Sequence, residues 1–187
     1  MVRNSPLAWG TRLNTGGSDP LIVTAELPEA LQSRADLLRA AHFPPERNFL
    51  KAHVTLFHAL PAMVEDELCE VLAAEAKAAP VAARLEGAMS LGRGTALRIV
   101  SPAMLAVRER IAERFHGMLT PQDSHAPRLH VTIQNKVTPD QAKSLQAALA
   151  ASIVPRDFAF RGLALHRYRG GPWDAVQRWT FRGTGRH

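Results

Sequence analysis

Cysteine is almost absent from this chain: Cys69 is the only one in 187 residues. A lone cysteine forms no internal disulfide and supplies no cysteine-rich zinc site. A chain of this length buries roughly two thirds of its unfolded surface, so it needs neither to fold. Cys69 reads as a small apolar residue on a helix. Lysine is scarce too: only Lys51, Lys77, Lys136 and Lys143 among 23 cationic residues, the other 19 being arginines. No apolar run approaches the roughly 18 residues of a membrane span, so no membrane partner is expected. H-E-x-x-H, a Walker loop and G-x-S-x-G are missing, and "GRGTAL" (92–97) lacks the third glycine of a dinucleotide fingerprint. A metal, a cofactor and serine-hydrolase chemistry are accordingly not expected. The first twenty residues carry no continuous apolar stretch of the signal-peptide kind. They read as a loose leader (1–20) before a single domain (21–187), with a cytoplasmic setting as the default.

What the chain has instead is arginine. The formal net charge is +6 and the pI about 10.4. The arginine fork matches phosphate oxygens in pairs, and a basic surface attracts nucleic acid. Seven arginines lie between Arg156 and Arg186, with Tyr168, Trp173 and Trp179 among them. Arginine beside aromatics suits stacked single-stranded nucleotides. Trp179 alternates with Phe181 and reads as core, whereas Tyr168 and Trp173 flank a Gly-Gly-Pro turn and are candidates for substrate contact.

Periodicity and turn residues give the order β α β α β β α β α β β. The strands are read over 21–27, 49–60, 81–91, 95–101, 128–137, 157–168 and 175–183. The helices are read over 28–43, 64–79, 102–119 and 138–152, the first with Leu31, Ala35, Leu38 and Ala41 at helical spacing. The paired strands late in each half point to an α+β fold with antiparallel pairs. No linker separates the halves, so they read as lobes of one domain.

One string occurs in both halves. "HVTLF" at 53–57 is matched by "HVTIQ" at 130–134, 77 residues apart (130 − 53). Chance duplication is on the order of one in a thousand from residue usage. On a strand, residues two apart share a face. Lys51, His53, Thr55 and Phe57 therefore form one face, and Arg128, His130, Thr132 and Gln134 its counterpart. Each copy lines up a cation, an imidazole and a hydroxyl. An imidazole serves as general acid or base near neutral pH, a hydroxyl donates to a phosphoryl oxygen, and a cation offsets transition-state charge. Two such faces across a cleft provide a proton acceptor and a proton donor on opposite sides of one phosphorus. Phe57 either stacks on a base in that cleft or turns into the core, and Gln134 is expected on phosphate or sugar. His53 and His58 are an odd number apart (58 − 53 = 5), which places them on opposite faces; the same holds for His125 and His130 if the strand begins as early as residue 125. His42, His116 and His187 read as surface or terminal.

The paired "HVTL" and "HVTI" strings resemble the His-x-Thr-x signatures of the 2H phosphoesterase superfamily. "HVTLFHALP", "LGRG", "LTPQD", "HVTIQNKV" and "LALHRYRGGPW" resemble its bacterial 2'-5' RNA ligase-like, cyclic phosphodiesterase group, over about residues 21–183. Many relatives carry proline directly before the second histidine, where this chain has Leu129. The resemblance implies two pseudo-symmetric lobes with antiparallel sheets around a central cleft and helices outside, working without a metal. It also implies His53 and His130 as the acid–base pair, with Thr55 and Thr132 holding the phosphate. The expected activity is opening of 2',3'-cyclic phosphates on RNA ends or nucleotides, with reversible 2'-5' ligation, and no obligate protein partner. The alternative is a non-catalytic RNA-binding module using the same basic cleft.

Overall fold

The computed structural model describes residues 19–183. Nearly all of the stretch read as a leader lies outside them, as does His187. Its last two residues are held: the Pro20 carbonyl accepts the Tyr168 N–H at 2.9 Å, and Asp19 pairs with Arg169.

Eight strands and four helices follow in the order β1 (Leu21–Glu26), α1 (Glu29–His42), β2 (Val54–Leu60), α2 (Glu65–Glu75), β3 (Val81–Ser90), β4 (Gly94–Val100), α3 (Pro102–Arg114), β5 (His130–Asn135), α4 (Pro139–Ser152), β6 (Arg156–Phe160), β7 (Gly162–Tyr168) and β8 (Trp173–Thr180). The strands form two antiparallel four-stranded sheets, ordered β2-β1-β7-β8 and β5-β4-β3-β6. The α+β expectation is therefore met. The stretch read as one strand over 157–168 is two, broken at Arg161, and its parts belong to different sheets.

The halves are not spatially contiguous. The pair β3–β4, which follows the first motif and its helix, joins the sheet of the second motif. The pair β7–β8 returns to the sheet of the first. Each motif strand consequently ends up at an edge of its sheet, and β2 lies against β5.

The helix boundaries have local causes. The Ser101 hydroxyl caps α3, accepting the Met104 N–H at 3.0 Å and donating to the Ala82 carbonyl at 2.6 Å. Thr138 and Gln141 form a capping box on α4. Both helices open with a proline, which lacks only an N–H that the first turn cannot use. Glu65, Asp66 and Glu67 open α2, where the helix dipole favours negative charge. Cys69 lies half-buried on α2 against the core.

One apolar cluster is shared by both sheets: Leu21, Val23, Val54 and Leu56 from the first pack in the same core as Leu85, Leu97, Val131 and Ile133 from the second. Trp179 and Phe181 are buried in it as expected. The α1 stripe departs from its expected course. After Leu31 and Ala35 it continues through Arg39, while Ala41 is exposed. The stripe of α3 likewise includes Arg108, between Met104, Val107 and Ile111. These two arginines are 4% and 5% exposed.

Candidate active site

The motif segments have one burial pattern. Over 51–58 and over 128–135 the sequence of exposed, buried and half-buried residues is identical, position by position. His53, Thr55, His130 and Thr132 are half-buried on the face turned away from the helices, while Val54, Leu56, Val131 and Ile133 fill the core. Lys51 and Arg128 are exposed just before their strands begin.

Simple alternation ends at the fourth motif residue. In the pairing of β1 with β2, Val23 faces Phe57 and Thr24 faces Thr55, so one extra residue stands there in β2, and a second stands between Phe57 and Leu60, which faces Leu21. In the pairing of β4 with β5, Thr95 faces Gln134 and Ala96 faces Thr132, which is the same bulge in the other lobe. A bulge puts two consecutive residues on one side. Phe57 is therefore 0% exposed and belongs to the core, where the Arg108 guanidinium lies 4.6 Å from its ring. It does not line the cleft. Gln134 is 7% exposed, with its Oε1 sealed from solvent, and is likewise turned from the motif face. Gly94 is required here, since a Cβ would stand 2.2 Å from the Gln134 carbonyl oxygen.

The same bulge overturns the placement of His58. Parity across a regular strand sets it opposite His53, but the extra residue returns it to the face of His53 and Thr55. There its charge reaches His130. Its Nδ1 donates to Asp123 Oδ1 at 3.0 Å, and the same carboxylate accepts the backbone N–H groups of His58 and Ala59 at 2.9 Å. Asp123 is 1% exposed. Burial alone would raise its pKa, but the bonds from the His58 ring and the two N–H groups outweigh it and hold the carboxyl below its ordinary value. His125 lies in the exposed loop, with its Nδ1 on the Pro121 carbonyl at 3.0 Å.

Each motif histidine is held the same way. His53 Nδ1 is 2.7 Å from the Lys51 carbonyl, and His130 Nδ1 is 2.7 Å from the Arg128 carbonyl. A carbonyl only accepts, so Nδ1 carries hydrogen in both rings and Nε2 is the nitrogen left for chemistry. The approach to β2 is clamped by α1, where Ala52 donates to Asp36 at 2.6 Å and accepts from Gln32 at 2.8 Å. On the other side, the Leu129 carbonyl accepts the Ile99 N–H at 3.0 Å. The residue in the place of the relatives' proline thus enters the sheet's bonding.

Arg39 and Arg108 tie the lobes together. Arg39, on α1, donates to the Thr132 carbonyl in β5 at 2.8 Å and to Asn48 Oδ1 at 3.0 Å. Arg108, on α3, donates to the Leu56 carbonyl in β2 at 3.0 Å and to the Asp123 carbonyl. Each reaches the strand that carries the other half's histidine.

Burial lowers His53 to about 4, the Lys51 carbonyl opposes the shift, and the charges of Arg39, His166 and His130 reinforce it. Burial also lowers His130, against the Arg128 carbonyl and with the charges of His58 and Arg128. His166 on β7 joins the site unannounced by the sequence motif. Its Nε2 is 3.1 Å from the Thr24 hydroxyl. The Trp173 ring stands between two imidazoles, 4.6 Å from His53 and 5.4 Å from His166. Tyr168 pairs opposite Trp173 and is exposed. Arg98 lies directly across from His130 in the β4–β5 ladder, with its side chain mostly exposed and 3.2 Å from Glu86.

Among the described residues no group of three or more His, Cys, Asp or Glu side chains is placed to hold a metal ion. No described helix is long and apolar enough to cross a membrane. A separate groove of about 450 Å³, lined by His42, Phe43, Arg93, Gln134 and Lys136, lies at the start of α4 and includes neither motif histidine.

The profile of the 2'-5' RNA ligase superfamily matches residues 27–172. The chain belongs to that superfamily. It is accordingly a 2H phosphoesterase-type protein, and its two-sheet architecture is found in solved structures. One is TT0787 of Thermus thermophilus, with a TM-score of 0.60 at 17% identity, covering 89% of this chain and 100% of that one. Another is E. coli LigT complexed with 3'-AMP, with a TM-score of 0.59 at 18% identity and the same coverage. A third, described as a phosphoesterase, has a TM-score of 0.57 at 19% identity, covering 89% and 100%. At these identities the likeness shows the fold. No curated protein matches the chain.

Proposed function

We propose that this superfamily member is a metal-independent phosphodiesterase that opens 2',3'-cyclic phosphates of RNA ends or nucleotides. The observation that carries this reading is the matched pair of imidazoles, each with Nδ1 held 2.7 Å from a carbonyl two residues upstream and Nε2 presented from a motif strand. Ring-opening of a cyclic phosphate needs a base for the attacking water and an acid for the departing ribose oxygen, in line through phosphorus. His53, held neutral by burial and by the charge of Arg39, takes the proton from water. His130 is protonated once a phosphate anion offsets its desolvation, and its Nε2–H goes to the leaving oxygen. Thr55 and Thr132 donate hydroxyls to the non-bridging oxygens, while Lys51, Arg128 and Arg98 supply positive charge. Trp173 and Tyr168 give the nucleoside an apolar wall beside His53. With a 5'-hydroxyl in place of water as the nucleophile, the same forward steps form the P–O5' bond, break the P–O3' bond and join ends through a 2'-5' linkage; run backwards they cleave that linkage to the cyclic phosphate.

The test is turnover of nucleoside 2',3'-cyclic monophosphates in EDTA by the wild type, His53→Ala and His130→Ala. Each variant is expected to lose about 10²- to 10⁴-fold in kcat, the usual size of a general acid–base contribution. Wild-type turnover that requires a divalent ion, or a variant of near wild-type rate, overturns the mechanism. Binding of RNA without turnover favours a non-catalytic module.

A further inference from the structure

The acid–base chemistry above uses two imidazoles, and His58 is surplus to it. The β2 bulge turns this side chain onto the motif face, where its Nδ1 is taken up by Asp123 at 3.0 Å. The ring's other nitrogen, Nε2, has no protein partner among the described residues, and the side chain is 30% exposed. An ionised carboxylate behind an imidazole fixes its orientation, and in the imidazolium form both ring nitrogens donate. The equivalent position in the other lobe is Asn135, a neutral amide whose Oδ1 accepts the Lys136 N–H at 2.8 Å. An imidazole backed by a carboxylate thus stands on one side of the cleft only, within electrostatic reach of His130.

We infer that His58, oriented by Asp123, is a second anion-binding group, and that the preferred substrate carries another phosphate beside the scissile one. This rests on the phosphodiesterase reading and deepens it. The second phosphate comes either from a terminal 5'-phosphate or from the next internucleotide linkage; a bare nucleoside cyclic phosphate fills only part of the site. Asp123 has a structural duty as well, since it accepts the consecutive His58 and Ala59 N–H groups where β2 carries its second extra residue. That duty needs only the backbone at position 58 and gives the ring no reason to present Nε2.

The experiment is equilibrium binding, which needs no turnover. Calorimetry compares adenosine 3'-monophosphate with adenosine 3',5'-bisphosphate, and with the dinucleotide ApAp, in the wild type, His58→Asn and His58→Gln. The asparagine amide can still reach Asp123 and lacks the second donor. The wild type should bind at least one two-phosphate ligand about tenfold more tightly than the monophosphate, the effect of one charge-assisted hydrogen bond. That ratio should fall to near one in both variants. Preference for the bisphosphate assigns the site to a terminal phosphate, and preference for ApAp alone assigns it to the linkage. Equal affinities in the wild type, or a ratio that survives in either folded variant, overturn the proposal. Failure to hydrolyse cyclic phosphates bears only on the catalytic reading.

Discussion

Asp123→Asn probes how the α3–β5 loop holds the first motif strand. The carboxylate accepts three N–H groups, from the His58 ring, the His58 backbone and the Ala59 backbone, at 2.9–3.0 Å. Hydrogen bonds to a buried charged group contribute about 2 kcal/mol each, so the three sum to roughly 6 kcal/mol. Asparagine keeps one oxygen, good for neutral bonds of about 1 kcal/mol each, and turns an NH₂ toward the remaining donors. The net loss is about 4 kcal/mol. At about 2–4 °C per kcal/mol for a chain of this size, Tm should fall by roughly 8–16 °C. Urea unfolding followed by circular dichroism gives the same difference as a free energy, and pH supplies the control. Asp123 has a folded pKa below its ordinary 3.8. Its stabilisation is therefore fully present above that value and is lost as pH falls through the folded pKa. The gap between wild type and variant should be constant from neutrality down to about pH 5 and close at lower pH. A gap under about 1 kcal/mol at pH 7, the size of one neutral bond, would refute this account of the bulge. So would a gap that persists undiminished in acid.

Phe57→Leu should lower Tm while nucleotide affinity stays within twofold, since Phe57 is fully buried beneath Arg108; weaker binding at unchanged Tm would return the ring to the cleft. The acid limb of kcat/KM should lie well below an ordinary imidazole, because His53 is lowered from 6.5 to about 4 and stays neutral as a base until that pH is reached. A limb near 6.5 would show that His53 is not the base of the free enzyme. Gly94→Ala should destabilise strongly, through the 2.2 Å approach of its Cβ to the Gln134 carbonyl oxygen, and unchanged unfolding would mean that β4 and β5 separate there at little cost.

Much of this was legible in the residues alone. The repeated His-x-Thr string locates both motif strands, because alternation holds over its four residues and burial follows it. It stops one residue later, since a two-residue period has no register once a bulge enters. The signal was present as Leu56 followed directly by Phe57, two large apolar residues in succession on an otherwise alternating strand. His58 was misplaced for that reason alone. Arg39 and Arg108 were hidden differently: a cation at a stripe position is normally solvated, and only its carbonyl partners in another lobe reveal why it is buried. His166 lacks a motif altogether, and it enters the site because β7 returns to the first sheet. That return, like the exchange of β3–β4, is a long-range pairing that local periodicity does not encode.

The two buried arginines also define what kind of object this chain is. In a two-fold dimer, residue i of one copy meets residue j of the other, and j meets i. Arg39 of α1 bonded to β5 and Arg108 of α3 bonded to β2 have that reciprocal form, with strand pairs traded between the halves as in a domain swap. Seen so, the monomer is a dimer with its subunits joined in tandem. A cut between α2 and β3 would strand β1 and β2 without β7 and β8, and neither fragment could hold both histidines. Complementation of two co-expressed fragments, rather than truncation to a minimal half, is the way to divide this activity.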